Sequence, residues 1–164
     1  MTVKELMQEK VITVAPDDMV DRVFYLINFE KIRHLPVIEK GKVIGIVSDR
    51  DLYKTLGPRG RRRSVASEEG ETELYVIPRK VKHIMRRGVI TCGPDDDAGK
   101  AASMMAKRRI GALPVIDGSK LRGIITATDI LYAFARHCSG LAASAAPVAA
   151  AKPQTKAKRK TAKR

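Results

Sequence analysis

The chain has no tryptophan, and only 4% of its 164 residues are aromatic. Stacking platforms for single-stranded nucleic acid need several aromatics on one surface and are not expected here. Two cysteines, Cys92 and Cys138, are too few for a disulfide framework, and neither sits in a CxxC spacing. With His34, His83 and His137 far apart, no zinc-ligand pattern appears, so no metal is expected. No run approaches the roughly 20 apolar residues that span a bilayer. The opening Met1-Thr2-Val3-Lys4-Glu5 lacks a basic region followed by an apolar one, as a signal peptide would require. The expectation is a soluble cytoplasmic protein with no membrane association. A Gly-rich phosphate loop and a nucleophile–base–orienter set are also missing, which argues against an enzyme with a resident cofactor.

What is abundant is positive charge. Thirty-two Lys and Arg face 18 Asp and Glu, a formal net charge of +14. At 44% hydrophobic, the chain can still build an aliphatic core, as one domain or as two small halves sharing one.

Shifted by 78 positions, the sequence matches itself without a gap. Val11-Ile12-Thr13 returns as Val89-Ile90-Thr91, and Pro16-Asp17-Asp18 as Pro94-Asp95-Asp96. Leu35-Pro36-Val37-Ile38 returns as Leu113-Pro114-Val115-Ile116, and Asp51 as Asp129. About one position in three is identical across residues 3–56. Such a unit cannot bury its apolar face alone, so the two copies are expected to pack on each other. The organisation reads as repeat 1 over 1–56, a linker over 57–80, repeat 2 over 81–138 and a tail over 139–164.

Each unit reads β-α-β-β-α, an α/β (α+β) pattern. In the first, a short strand at Val11–Val14 precedes the helix-start signal Pro16-Asp17-Asp18. Met19, Val20, Val23, Phe24, Leu26 and Ile27 then recur at helical spacing to about Lys31. Strands at Leu35–Ile38 and Val43–Val47 flank the turn Glu39-Lys40-Gly41-Lys42, and a short helix capped by Ser48 or Asp49 runs to Leu56. The second unit gives strands at Val89–Cys92, Leu113–Ile116 and Leu121–Thr126, with helices from about Asp96 to Arg108 and Thr128 to His137.

The unit resembles the CBS domain. The resemblance rests on LPVI at the second strand and on G-hydrophobic-hydrophobic-[ST]-x-x-D before the last helix. That pattern reads Gly45-Ile46-Val47-Ser48-Asp49-Arg50-Asp51 and Gly123-Ile124-Ile125-Thr126-Ala127-Thr128-Asp129. Two such units in tandem resemble a CBS pair, or Bateman module, with pseudo-two-fold packing. Glu73-Leu74-Tyr75 ahead of Val81-Lys82-His83-Ile84-Met85 is further similar to stand-alone, AcuB-like CBS pairs.

The resemblance implies a regulatory module that senses AMP, ADP, ATP or S-adenosylmethionine in clefts between the repeats and relays occupancy to a partner. It implies a homodimer, with the nucleotide as regulatory ligand rather than cofactor. Asp51 and Asp129 would accept the ribose hydroxyls, with Ser48 and Thr126 near ribose or phosphate. Thr13, Val14 and Pro16, and Thr91, Cys92 and Pro94, would border the adenine, with Pro36 and Pro114 on the neighbouring strands. A carboxylate can accept two hydrogen bonds from a cis-diol, and Ser/Thr at a helix start offers hydroxyl and amide donors to a phosphate. The same Ser/Thr-x-x-Asp spacing also fits plain helix capping.

The copies differ where charge matters. Arg33-His34 and Arg50 in the first stand against Gly111-Ala112 and Thr128 in the second. The expectation is one cleft suited to phosphate and a roomier, electrostatically weaker one lined by Gly111 and Ala112.

Residues 57–80 open with the breaker-rich Gly57-Pro58-Arg59-Gly60 and are expected to be a mobile loop. The Ala/Lys/Pro-rich tail is expected to be disordered. It carries Lys152, Lys156, Lys158, Arg159, Lys160, Lys163 and Arg164 with no acidic residue, half of the net charge. This offers an alternative function: non-specific binding of DNA or another polyanion by a dimeric scaffold.

Overall fold

The computed structural model describes residues 1–55 and 79–139. Most of the linker and nearly all of the tail, including its seven cations, lie outside the described residues, as does the Glu73-Leu74-Tyr75 segment.

The elements are α1 (Val20–Asn28), β1 (His34–Glu39), β2 (Lys42–Ser48), α2 (Asp49–Thr55), α3 (Ala98–Arg108), β3 (Ala112–Asp117), β4 (Lys120–Thr126) and α4 (Ala127–Ser139). Short 3-10 turns at Val3–Glu5 and Val81–His83 open the two repeats. The fold is mixed α/β, as two antiparallel hairpins, β1–β2 and β3–β4, with helices packed around them. Lys40 and Gly41 both take positive φ, 48° and 76°, which suits the two-residue turn joining right-twisted strands. A register shift falls between Val37 and Ile38, and again between Val115 and Ile116. The irregularity is thus repeated along with the sequence.

Two expectations need correction. The runs Val11–Val14 and Val89–Cys92 do not form strands. Each makes one parallel bridge, Val14 to Val37 and Cys92 to Val115, because the chain leaves the sheet at Pro16 or Pro94 to enter a helix. Helix α1 ends at Asn28, short of Lys31, and Lys31 takes φ 59°. Its repeat equivalent, Arg109, caps α3 at φ 54°. These left-handed residues reverse the chain so that Ile32 and Ile110 return to the cores.

Helix α1 buries Val20, Val23, Leu26 and Ile27 on one face. They pack with Val14, Leu35, Val37, Val47, Leu52 and Val81. The second core holds Cys92, Ala101, Met105, Leu113, Val115, Ile125 and Val3. Every member of the second core is the 78-position equivalent of a member of the first. Smaller side chains at Ala101 and Ala112 are accommodated with Met105 and Met104, whose flexible thioethers fill irregular space.

The leading segments are exchanged. Val3, from the start of repeat 1, is buried in the core of repeat 2, and Val81, from repeat 2, is buried in the core of repeat 1. Val3 and Lys4 amides donate to the Asp96 and Pro94 carbonyls; Val81 and Lys82 do the same to Asp18 and Pro16. Farther along, Gln8 pairs antiparallel with Ile124 on β4, and Arg86 with Ile46 on β2. Gly45 and Gly123 permit this approach. A Cβ at either would lie 2.7 Å from a methionine sulfur, of Met85 or Met7 respectively. Strands β2 and β4 meet between the repeats.

Candidate functional site

The chain is brought to the cleft by its hairpins. At the end of β2 the strand passes directly into α2, and Asp51 lies in the first turn of that helix. Its Oδ2 accepts from the Ser48 amide at 3.1 Å and the Ser48 hydroxyl at 2.6 Å. Its Oδ1 accepts from Nε of Arg86 at 2.9 Å, with the Lys54 ammonium at 3.8 Å. Asp51 is only 6% exposed, the one buried charged side chain among the described residues. Burial by itself would raise its carboxyl pKa, but the Ser48 and Arg86 hydrogen bonds outweigh it and hold the value below the ordinary range.

The second copy repeats this arrangement with one exchange. Asp129 Oδ2 accepts from the Thr126 amide at 2.8 Å and its hydroxyl at 2.6 Å. Its Oδ1 accepts from the Gln8 side chain at 3.2 Å. Gln8 is the repeat equivalent of Arg86. In both copies the Ser/Thr donors are engaged by the aspartate, so the expected free hydroxyl and amide for a phosphate are occupied locally, in the manner of a capped turn.

A cavity of about 710 Å³ lies between the repeats, a size suited to a nucleotide. Repeat 1 contributes Arg33, His34, Ile46, Ser48, Asp49, Arg50 and Asp51. Repeat 2 contributes Arg86–Ile90, Arg109–Ala112 and Ala127. Five guanidinium groups therefore face two carboxylates. Arg33 also donates from Nη2 to the Thr128 hydroxyl at 3.1 Å, tying the repeats together. His34 is half-buried, and burial lowers its pKa; Asp49 and Asp51 oppose this, whereas Arg33 and Arg50 reinforce it.

Of the expected ligand-binding residues, Arg33, His34, Ser48, Arg50, Asp51 and Ala112 line this cavity, and Thr128 touches it through Arg33. Thr13, Val14, Pro16, Pro36, Thr91, Cys92, Pro94, Pro114, Thr126 and Asp129 do not line it. Val14, Pro36, Cys92 and Pro114 are buried. Burial first, and then Asp96, push the Cys92 thiol up to about 11. The expected division into an Arg33–His34 cleft and a Gly111–Ala112 cleft is corrected. Both pairs line one cavity, because the entries to β1 and β3 face each other across the pseudo-two-fold. A Cβ on Gly111 would lie 2.9 Å from Nε2 of His34.

Sequence reasoning missed Arg86, Arg87, Arg109 and the apolar Val89, Ile90 and Ile110. A signal was available for Arg86 and Arg87: they stand where the first copy has Gln8 and Glu9, between the repeated Met7 and Val11-Ile12-Thr13. Among the described residues no cluster of His, Cys, Asp and Glu could hold a metal, and no helix is long and apolar enough to cross a membrane.

The CBS-domain family model matches residues 3–57 and 81–136. The chain is 30% identical over 153 residues to the uncharacterized protein MJ1426 of Methanocaldococcus jannaschii, covering 81% of this chain and 90% of that one. Some curated relatives are longer, and the chain spans 36% of protein MJ1225 from the same organism. Among solved structures, the CBS domain pair of protein MJ0100, in complex with 5′-methylthioadenosine and S-adenosyl-L-methionine, superposes with a TM-score of 0.68 at 25% identity. That match covers 84% of this chain and 98% of the other. A protein assigned as the acetoin utilization protein AcuB of Vibrio cholerae superposes with a TM-score of 0.65 at 25% identity, covering 85% and 93%. With both repeats matched in sequence and superposed as a pair, the chain belongs to the CBS-domain family as a tandem CBS pair.

Proposed function

We propose that the chain is a non-catalytic regulatory module that binds a phosphorylated adenosine ligand in the inter-repeat cavity and relays its occupancy to a partner protein. The observation that carries this reading is the cavity wall, where one buried, ionised carboxylate stands among five arginines. Asp51 would accept the ribose cis-diol, since an ionised carboxylate is an acceptor only. Ile46, Val89, Ile90 and Ile110 supply apolar surface for the base. Arg33, Arg50, Arg87 and Arg109 supply charge-assisted donors for phosphate. The excess of cations favours AMP, ADP or ATP over S-adenosylmethionine, whose sulfonium adds positive charge. The adenosine ligands held by the CBS pair of MJ0100 support the ligand class.

Ligand at about 100 times its dissociation constant should stabilise the fold by roughly 2.7 kcal/mol. Thermal unfolding with AMP, ADP, ATP, 5′-methylthioadenosine and S-adenosylmethionine at millimolar concentration tests this. A nucleotide-dependent rise is expected; no rise with any of them overturns the proposal. Exposed Tyr25 on α1 and Phe29 at its C-cap, with Leu131 and Phe134 on α4, would serve the homodimer, which sedimentation equilibrium checks.

The basic tail supports a second reading, non-specific DNA binding. Seven neutralised phosphates would give a log–log salt slope near −6. A chain ending at Gly140 should lose DNA retention; equal retention by both lengths refutes the tail's role.

A further inference from the structure

The diol acceptor of the cleft is already occupied by the protein. Oδ2 of Asp51 holds both Ser48 donors, and Oδ1 holds Arg86 Nε at 2.9 Å. An oxygen with two lone pairs that has accepted one guanidinium bond has room for one further donor, not for both hydroxyls of a ribose. Arg86 is anchored through its backbone, whose amide and carbonyl bond to Ile46 at 2.9 and 3.0 Å. Its side chain is 53% exposed and lines the cavity, so it can leave Asp51 without unpairing β2.

We propose that Arg86 is a specificity-determining residue that competes with the ribose for Asp51, and so makes the cleft select phosphorylated over unphosphorylated adenosine ligands. This inference rests on the reading of Asp51 as the ribose acceptor. A ligand that takes Asp51 displaces the guanidinium into a cavity already lined by Arg33, Arg50, Arg87 and Arg109. A bare nucleoside offers the displaced cation no counter-charge, and like charges surround it. A ligand phosphate supplies the missing partner, so the charge-assisted bond lost at Asp51 is regained at the phosphate. Lys54, exposed on α2 and 3.8 Å away, remains to balance the carboxylate. In the second repeat a neutral amide, Gln8, occupies the equivalent place, and its displacement strands no charge.

The test is calorimetric titration of adenosine and AMP into the full-length protein and its Arg86→Ala and Arg86→Gln variants. The wild type should prefer AMP over adenosine by roughly tenfold or more, the scale of one hydrogen bond to a charged group. Arg86→Ala should bind adenosine several-fold more tightly than the wild type and AMP several-fold more weakly, narrowing the preference to what the other four arginines supply. Arg86→Gln retains a donor for Asp51, preserves the fold if alanine does not, and should show the same change of preference at smaller size. Parallel weakening of both ligands, or no change in either, overturns the inference while leaving the ligand class standing. Binding of neither ligand by any of the three proteins overturns the underlying reading of Asp51 as well.

Discussion

In repeat 1 a buried aspartate is held by an arginine; in repeat 2 its counterpart is held by a glutamine. Around these two carboxylates the backbone is the same. The Ser/Thr hydroxyl bond is 2.6 Å in both, and the outer partner reaches across from the other repeat's leading segment in both. Charge, not topology, distinguishes the two places. The duplicated frame therefore leaves side chains facing the clefts free to diverge, while the core positions behind them stay matched pair by pair.

The largest expected difference lies in the aspartates themselves. Asp51→Ala leaves two half-buried Ser48 donors and the Arg86 guanidinium without their acceptor, which should cost about 2 kcal/mol in urea unfolding. Asp129→Ala removes only neutral partners at a less buried site and should cost about 1 kcal/mol. Equal losses would break the distinction between the copies.

The glycines reverse the order. A Cβ at Gly123 would sit 2.8 Å from the Gln8 carbonyl oxygen, which is pinned to β4, whereas at Gly45 the nearest backbone oxygen, of Arg86, is 3.2 Å away. Both also meet a methionine sulfur that can swing aside. Gly123→Ala should therefore cost about 2 kcal/mol and Gly45→Ala about 1 kcal/mol, measured by the same unfolding curves.

Smaller still are the effects of pH, and in this cleft both titrating groups cost stability toward acid. The folded pKa of Asp51 lies below its ordinary 3.8, so its contribution is complete above that value and is lost as pH falls through the folded value. Asp51→Asn should flatten the acid limb of the stability profile. His34 has a folded pKa below 6.5, so the fold favours neutral imidazole, and stability falls as pH drops from 6.5 toward the folded value. A bound phosphate favours the imidazolium instead. Nucleotide affinity should consequently rise as pH falls toward the lowered folded value of His34, and His34→Ala should remove that rise. Affinity that is flat with pH in the wild type would exclude His34 from phosphate contact.

Much of the fold was legible because it repeats. The hairpins carry turn residues, the helices carry periodic apolar faces, and each signal occurs twice. Asp51 was legible because it stands three residues after Ser48 in a pattern that returns at Asp129. The rest of the cation-rich wall was not, since Arg86, Arg87 and Arg109 join Arg33 and Arg50 in one cavity only by the exchange of leading segments and by the meeting of the repeats. A local pattern cannot encode that encounter. The same blindness divided Arg33-His34 from Gly111-Ala112, which the fold places in one cavity.

The buried positions of Val3 and Val81 also govern how the molecule comes apart. Each half carries the residue that completes the other's interior, so cutting the chain between residues 55 and 79 would not release two self-sufficient domains. Either fragment alone would have a gap in its interior and an unplaced apolar segment at its front, and the two mixed together should refold as a complementary pair. Unfolding of the intact chain should accordingly be a single cooperative event, with neither repeat outliving the other.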